Sequence, residues 1–462
     1  MDNHRFWPKV LLWSIPLQLG LTPTGVFAAE ETTVSSVSAG LDALWVMVSA
    51  ILVLLMQAGF VLLETGSTRM KNAGHIAGKT IFTVGMCSLV FWFAGYGLIF
   101  GAGGNAFVGW GDFLFQPQSA DTLPPSVFFL FQLAFAAVSL SIAWGGFAER
   151  AKLSAYVLFT LLFTLLVYPV VAHWIWGGGW LSEHGKQDFA GSTVVHLTGA
   201  MAALAATLLL KPRIGKYNRD GSPNEIQGHN QVYTTLGVFL LWIGWFGFNA
   251  GSTLAVGDGF FGYVAFNTQL ATGAGALVAM AASWIWYTKA DIPNLLNGTL
   301  AGLVAITASC AFVEPWAAVV IGAIGGFLVV VSSRVIERMQ IDDPISAISV
   351  HGVAGIWGTL SNGLFATPKL AESVGVGQGG FFYTGSFEQL WVQCYGVVSA
   401  GCYAFAVSFI ILYLMKKAIG LRVTEEQEIL GLDLSEHGSY GYPEQIRAEH
   451  QKLFGKEQGA SV

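Results

Sequence analysis

His196 and His351 each lie in a long apolar stretch with no other ionisable residue beside them: AGSTVVHLTGAMAALAATLLL and PISAISVHGVAGIWGTL. An ionisable side chain at membrane depth is costly, so by default it marks a functional site that faces the protein interior. The two settings also match. His196 has Gly199, Ala200 and Ala203 at i+3, i+4 and i+7, and His351 has Ala354, Gly355 and Gly358 at the same offsets. Each histidine therefore heads a helical face of small residues against which another helix can pack closely. A neutral imidazole donates from one ring nitrogen and accepts at the other, and it titrates near neutrality, so a pair can share and pass a proton. The plainer alternative is that each ring bonds a neighbour across a helix interface. A metal is a poor fit, since metal sites ordinarily want three or four protein ligands. His173, the remaining histidine within an apolar span, falls near the far end of a different one. Neither a metal nor another cofactor is expected.

The elements that carry these residues are membrane helices. The chain is 54% hydrophobic and 11% charged over 462 residues, against about 25% charged in a soluble domain. Apolar runs of about 20 residues can cross a bilayer core of roughly 30 Å. Eleven are expected, at 42–65, 76–101, 124–148, 153–175, 190–210, 229–251, 260–287, 293–313, 315–333, 344–366 and 388–415. Ahead of them, Arg5 and Lys9, the apolar VLLWSIPLQLG and the small-residue Val26-Phe27-Ala28 read as a cleaved signal peptide over 1–28. The membrane domain then covers 29–417 and a polar tail 418–462. Cys87, Cys310, Cys394 and Cys402 lie in apolar runs and read as small hydrophobes.

Charge sets the expected orientation. Lys and Arg crowd the segments at 69–79, 150–152, 211–219, 289 and 334–338 and the tail, whereas the alternate segments hold only Lys186 and Lys369. That asymmetry places the basic set on the cytoplasmic side, with the mature N-terminus outside and the C-terminus inside. His196 is in the fifth span and His351 in the tenth, so their helices cross in opposite directions. The expected fold is an all-α integral membrane protein: eleven transmembrane helices, built as an inverted five-helix repeat plus one extra helix. Each histidine lies roughly 10 Å in from the start of its span, one from each face, so both approach the midplane.

A pore of this kind suits a cation that can drop its proton. A permanent cation such as K⁺ meets a large desolvation penalty in an apolar lumen. Ammonium can cross as neutral ammonia while imidazoles carry the proton. Capture at an outer mouth calls for aromatic faces and a hydroxyl acceptor, with cation–π attraction contributing about 1–2 kcal/mol when partly desolvated. The outer end of the fourth span reads HWIWGGGWL, although Trp is enriched at membrane interfaces whatever the function.

The chain resembles the ammonium transporter (Amt/Rh) family, on its Amt side. The segments that carry the likeness are ETGSTRMKNAGH (64–75), FQLAFA (131–136), AHWIWGGGW (172–180), DFAGSTVVH (188–196), GWFGFNAGS (244–252), DDPISAISVHGVAG (342–355) and GLRVTEEQEILGLDLSEHG (420–438). The resemblance implies that Trp176 walls an external ammonium site, that Ser252 is its hydroxyl acceptor, and that Phe135 serves as both cage member and outer gate with Phe248 beneath. It implies a pore-proximal Gln132, a positioning role for Asp188 behind the cation site, and a pore through His196 and His351. It further implies a homotrimer with one pore per subunit, and a tail that docks on the cytoplasmic face and meets a PII-type regulatory protein. Three features depart from the family pattern or lack a role: Ser346 where an acid is usual, Ser439 after HisGly in the tail, and the Gly-rich segment 367–387.

The expected function is ammonium uptake across the plasma (inner) membrane by a multi-pass protein that is not an enzyme and does not bind nucleic acid. Two other readings compete. An ammonium receptor on the same fold should carry a long signalling domain, and the tail is short. An Rh-type channel for ammonia or carbon dioxide should lack the aromatic at Trp176.

Overall fold

The computed structural model describes residues 34–118, 122–442 and 444; the expected signal peptide and the distal tail lie outside the described residues. In a bilayer every backbone N–H and C=O must bond within the protein, so apolar runs close on themselves as helices. In chain order these are α1 (Ser35–Ser67), α2 (Met70–Phe100), α3 (Pro125–Trp144), α4 (Leu153–Glu183), α5 (Ser192–Leu210), α6 (Gln231–Thr253), α7 (Phe260–Tyr287), α8 (Ile292–Thr307), α9 (Pro315–Arg338), α10 (Ile348–Val353 running into Ala354–Phe365) and α11 (Glu388–Ala418). Among the described residues nine of them are long and apolar enough to cross a membrane, and no β-strand forms. The other two are α8 and α10, which fall on the expected runs at 293–313 and 344–366. Both lie largely inside the protein. Every residue from Gly298 to Thr307 in α8 is buried, and α10 buries Gly355, Gly358, Ser361 and Asn362.

Small residues set the helix contacts. Without a hydrophobic driving force between helices in lipid, close backbone approach does the work. A Cβ on Gly199 would lie 2.5 Å from the Ser139 carbonyl of α3, and one on Gly358 would lie 2.4 Å from the Ala305 carbonyl of α8. The small faces downstream of the two histidines are therefore places where neighbouring backbones come close.

The segments rich in Lys and Arg converge on one end of the bundle around a buried charge cluster. Arg213 bonds Glu149 at 2.7 Å and Asp342 at 2.8 Å, and Arg69 pairs with Glu149 at 3.0 Å. Burial pushes the Glu149 carboxyl up, but Arg213 and Arg69 outweigh it and hold it at about 2. Asp342 is likewise pushed up by burial, yet Arg213 and Arg150 hold it at about 2. The tail clips onto this end. Helix α12 (Glu425–Leu430) opens on a Thr424/Gln427 capping box. Its Glu428 pairs with Arg422 at 2.8 Å and accepts from the Ile214 amide. In α13 (Leu432–His437), Asp433 accepts from the Gly74 and His75 amides at the start of α2, a favourable place for a carboxylate.

Candidate functional site

Both histidines sit in short π-helical turns, His196 in Ser192–Leu197 and His351 in Ile348–Val353. Such turns are rare and recur at functional sites. Each turn is started by an aspartate eight residues upstream of its histidine. Asp188 Oδ2 accepts from the Thr193 and Val194 amides at 3.0 and 2.9 Å. Asp343 accepts from the Ala347 and Ile348 amides at 3.0 and 2.7 Å. A carboxylate on free amides at a helix start is satisfied by hydrogen bonds and by the dipole. Burial pushes Asp188 upward from the usual carboxylate range, opposed by Lys186 and by these amides. Asp343 rises to about 6, again from burial against its backbone bonds.

The two turns bring the histidines together. Their Nδ1 atoms are 3.2 Å apart, and the rings are stacked within 10° at 5.2 Å between centroids. A contact between two ring nitrogens needs one donor and one acceptor, so one proton lies between them. His196 is fully buried, and its Nε2 has no hydrogen-bond partner among the described residues. His173 is spent elsewhere, against the Ile99 and Asn105 carbonyls.

From the pair a column of rings leads to a cavity. Phe248 is 5.5 Å from His196, Phe135 stacks on Phe248 at 4.1 Å, and Trp176 meets the edge of Phe135 at 5.8 Å. On the opposite side Phe60 lies 6.4 Å from His351. Trp176 ends the segment Tyr168–Trp176 within α4, and its Nε1 donates to the Asp188 carbonyl at 2.8 Å. The indole can lie there because Gly191, at φ +112°, has no side chain; a Cβ would stand 3.0 Å from it. Above this wall is a cavity of about 500 Å³ lined in part by Trp176, Ser252, Asp188, Lys186 and Asp42. The Ser252 hydroxyl donates to the Phe248 carbonyl at 2.8 Å, which leaves its oxygen lone pairs for a donor.

Not every expected residue reaches the cavity. Phe135 and Phe248 do not line it; at 1% and 0% exposure they form a closed floor beneath. Gln132 is also absent from the lining. It is buried one turn before Phe135, with Oε1 unpartnered among the described residues. Three residues escaped the sequence reading. Trp245 stacks on His196 at 5.1 Å and 11°, its Nε1 anchored to Thr307 Oγ1 at 2.8 Å. The signal was present, since Trp245, Phe248 and Ser252 follow i, i+3, i+7 spacing. Asp343 could have been found from its offset to His351, which equals that of Asp188 to His196. Lys186 carried no sequence signal toward the site. The Gly-rich segment also gains a place: Gln187 Nε2 donates to the Val376 and Gln378 carbonyls, and Ser373, Val374 and Val376 wall the cavity.

A helical, multi-pass membrane protein with a buried paired-histidine column beneath an aromatic-walled mouth defines a membrane transporter class. Residues 44–442 match the model of the Ammonium Transporter Family. The chain belongs to that family. It is 39% identical to the ammonium transporter Amt2 of Archaeoglobus fulgidus over 95% of each chain. It is 38% identical to the ammonium transporter of Bacillus subtilis over 88% of this chain and 99% of that one. Among solved structures it is similar to a protein described as a sensor Amt protein, with TM-score 0.80, 39% identity and coverage of 87% and 99%. It is also similar to Mep2 of Candida albicans, with TM-score 0.79, 31% identity and coverage of 87% and 91%.

Proposed function

We propose that this protein conducts ammonium by separating ammonia from its proton. Ammonium gathers in the mouth on the face of Trp176, with Ser252 accepting one of its hydrogens. It loses its proton at or below the Phe135–Phe248 floor. Ammonia passes along the apolar column, and His196 and His351 carry the proton between them. Asp188 and Asp343 act through the backbone by starting the two turns that carry the rings. The observation that carries this reading is the 3.2 Å contact between the two Nδ1 atoms, with one ring nitrogen left unpaired at the end of an otherwise apolar line. A site with that chemistry rejects any cation unable to deprotonate.

Eleven spans in an inverted repeat, with the basic segments and the docked tail inside and the signal peptide removed, are the arrangement that accompanies this function. The same reading includes a homotrimer in the plasma (inner) membrane and a PII-type partner at the tail face. An ammonium receptor is the second reading, favoured by the likeness to a sensor Amt protein and by the tail's bonds to the start of α2.

Reconstituted protein separates the two. A transporter is expected to accumulate methylammonium in proteoliposomes and to resist Na⁺ and K⁺ as competitors; a receptor binds methylammonium without flux. Trp176→Leu is expected to raise KM for methylammonium about tenfold, from loss of a cation–π contact of roughly 1–2 kcal/mol. Maximal rate should change far less. Unchanged KM in that variant removes Trp176 from the capture site.

A further inference from the structure

Lys186 stands in the segment between α4 and α5, two residues before Asp188, and is only 1% exposed. Its stem crosses α11 at Gly396, where a Cβ would come within 2.4 Å of the lysine Cδ. The bare backbone at that position makes room for the side chain. Its Nζ donates to Thr193 Oγ1 at 3.1 Å, and that hydroxyl pairs with Thr359 Oγ1 of α10 at 2.7 Å. A lysine ammonium has three N–H donors, and its anchor here is a neutral oxygen. Lys186 also lines the cavity that holds Trp176 and Ser252. A fixed ammonium group therefore sits beside the place where a mobile one is captured. Burying such a charge is expensive, so its presence at this point asks for a function.

We propose that Lys186 is a selectivity element of the mouth: its charge offsets that of Asp188, the carboxylate behind the Trp176 wall, so beside that wall a cation is held by hydrogen bonding and ring contact and not by the charge of Asp188. This rests on the reading of the cavity as the capture site. K⁺ and Na⁺ cannot donate a hydrogen bond to Ser252, so a capture point whose neighbouring carboxylate is offset by Lys186 holds them weakly. Ammonium keeps that bond and is retained. Lys186 acts through the local field and is a positioning and specificity residue, not a ligand.

The same geometry makes the effect pH-dependent. Burial pushes the Lys186 amine down to about 8, with Asp188 opposing. The carboxylates facing it are Asp188 in its own segment and, across the cavity, Asp42 on α1 and Asp258 before α7. From α5 and α11 it meets Thr193 and Gly396, and behind Thr193 stands Thr359 of α10, all uncharged. Lys186 is charged below about 8 and loses its charge above it, so the mouth becomes more negative as pH rises through that value. Methylammonium stays protonated over this range, as a lysine side chain in water does.

The test uses the full-length protein in proteoliposomes, with methylammonium uptake measured against added K⁺. At pH 7, Lys186→Gln is expected to lower KM for methylammonium roughly three- to tenfold, with maximal rate little changed, and to make uptake sensitive to K⁺. Lys186→Arg, which keeps the charge, should retain wild-type KM and K⁺ resistance. Wild-type KM should fall between pH 7 and pH 9, and that fall should vanish in Lys186→Arg. Unchanged or raised KM in Lys186→Gln, with K⁺ still excluded, overturns the proposal. If that variant does not insert, the wild-type profile decides, and a flat KM from pH 7 to 9 overturns it. Wild-type protein that neither binds nor takes up methylammonium overturns the capture reading itself, a result distinct from a Lys186 variant with no phenotype.

Discussion

Replacing His196 and His351 together by leucine is expected to cut methylammonium uptake by at least about 10²-fold, in line with what a positioned proton-transfer group contributes to a rate. The two rings are stacked within 10° and share one proton across 3.2 Å. On either side they meet Phe248 and Phe60, which offer no proton acceptor. Without the imidazoles a proton released at the floor has nowhere to go, and the intact cation would have to enter an apolar lumen at a heavy desolvation penalty. The single variants carry a different signature. His196→Ala leaves His351 Nδ1 buried without its partner, a desolvation penalty of about 1–3 kcal/mol. Removing both rings leaves no such orphan, so the double variant is expected to be at least as stable in detergent as either single one, yet no more active. A double variant that moves ammonium at the wild-type rate and still excludes K⁺ would show that the relay is wrong.

Arg213→Met is expected to destabilise the folded protein by about 3–5 kcal/mol, the range seen when one partner of a buried ion pair is removed. Arg213 is the shared partner of Glu149 and Asp342, and its removal leaves Asp342, 1% exposed, without an ion-pair partner and Glu149, 0% exposed, with Arg69 alone. Thermal unfolding in detergent measures this, and proteolysis of the tail reports whether α12 and α13 stay docked, since Glu428 and Asp433 hold the same end of the bundle. Acid provides an independent check. Arg213 and its neighbours keep both carboxyls at about 2 despite burial, below their unfolded range near 4. Groups depressed in the folded state stabilise it above the unfolded range and lose that contribution as pH falls through the folded value. Wild-type stability should therefore decline between about pH 4 and pH 2. In Arg213→Met, burial acts without its main opponent, so the decline should begin at higher pH. Equal melting temperatures for variant and wild type at pH 7 would show that the cluster does not hold this end together.

Much of this was legible along the chain because a bilayer simplifies the code. A run of apolar residues has few options besides a helix, and a lone histidine within one is conspicuous. Even so, the runs expected at 293–313 and 344–366 form helix only over Ile292–Thr307 and 348–365, because hydropathy marks an apolar run and not where its helix stops. Phe135 was expected both to wall the capture site and to gate it; it is buried and does not line the cavity, and spacing along α3 does not resolve the few ångströms of depth between those two positions.

The amino-acid order alone determined the helical class, the segments where charge gathers, and the matched settings of His196 and His351, all of which are local patterns under one dominant solvent constraint. Only the tertiary structure decided that two aspartates eight residues upstream start equivalent turns, that Trp245 backs the pair, and that Lys186 reaches the mouth through the gap at Gly396. Those contacts join segments far apart in the chain, and their geometry comes from how closely backbones pack, which no local pattern records.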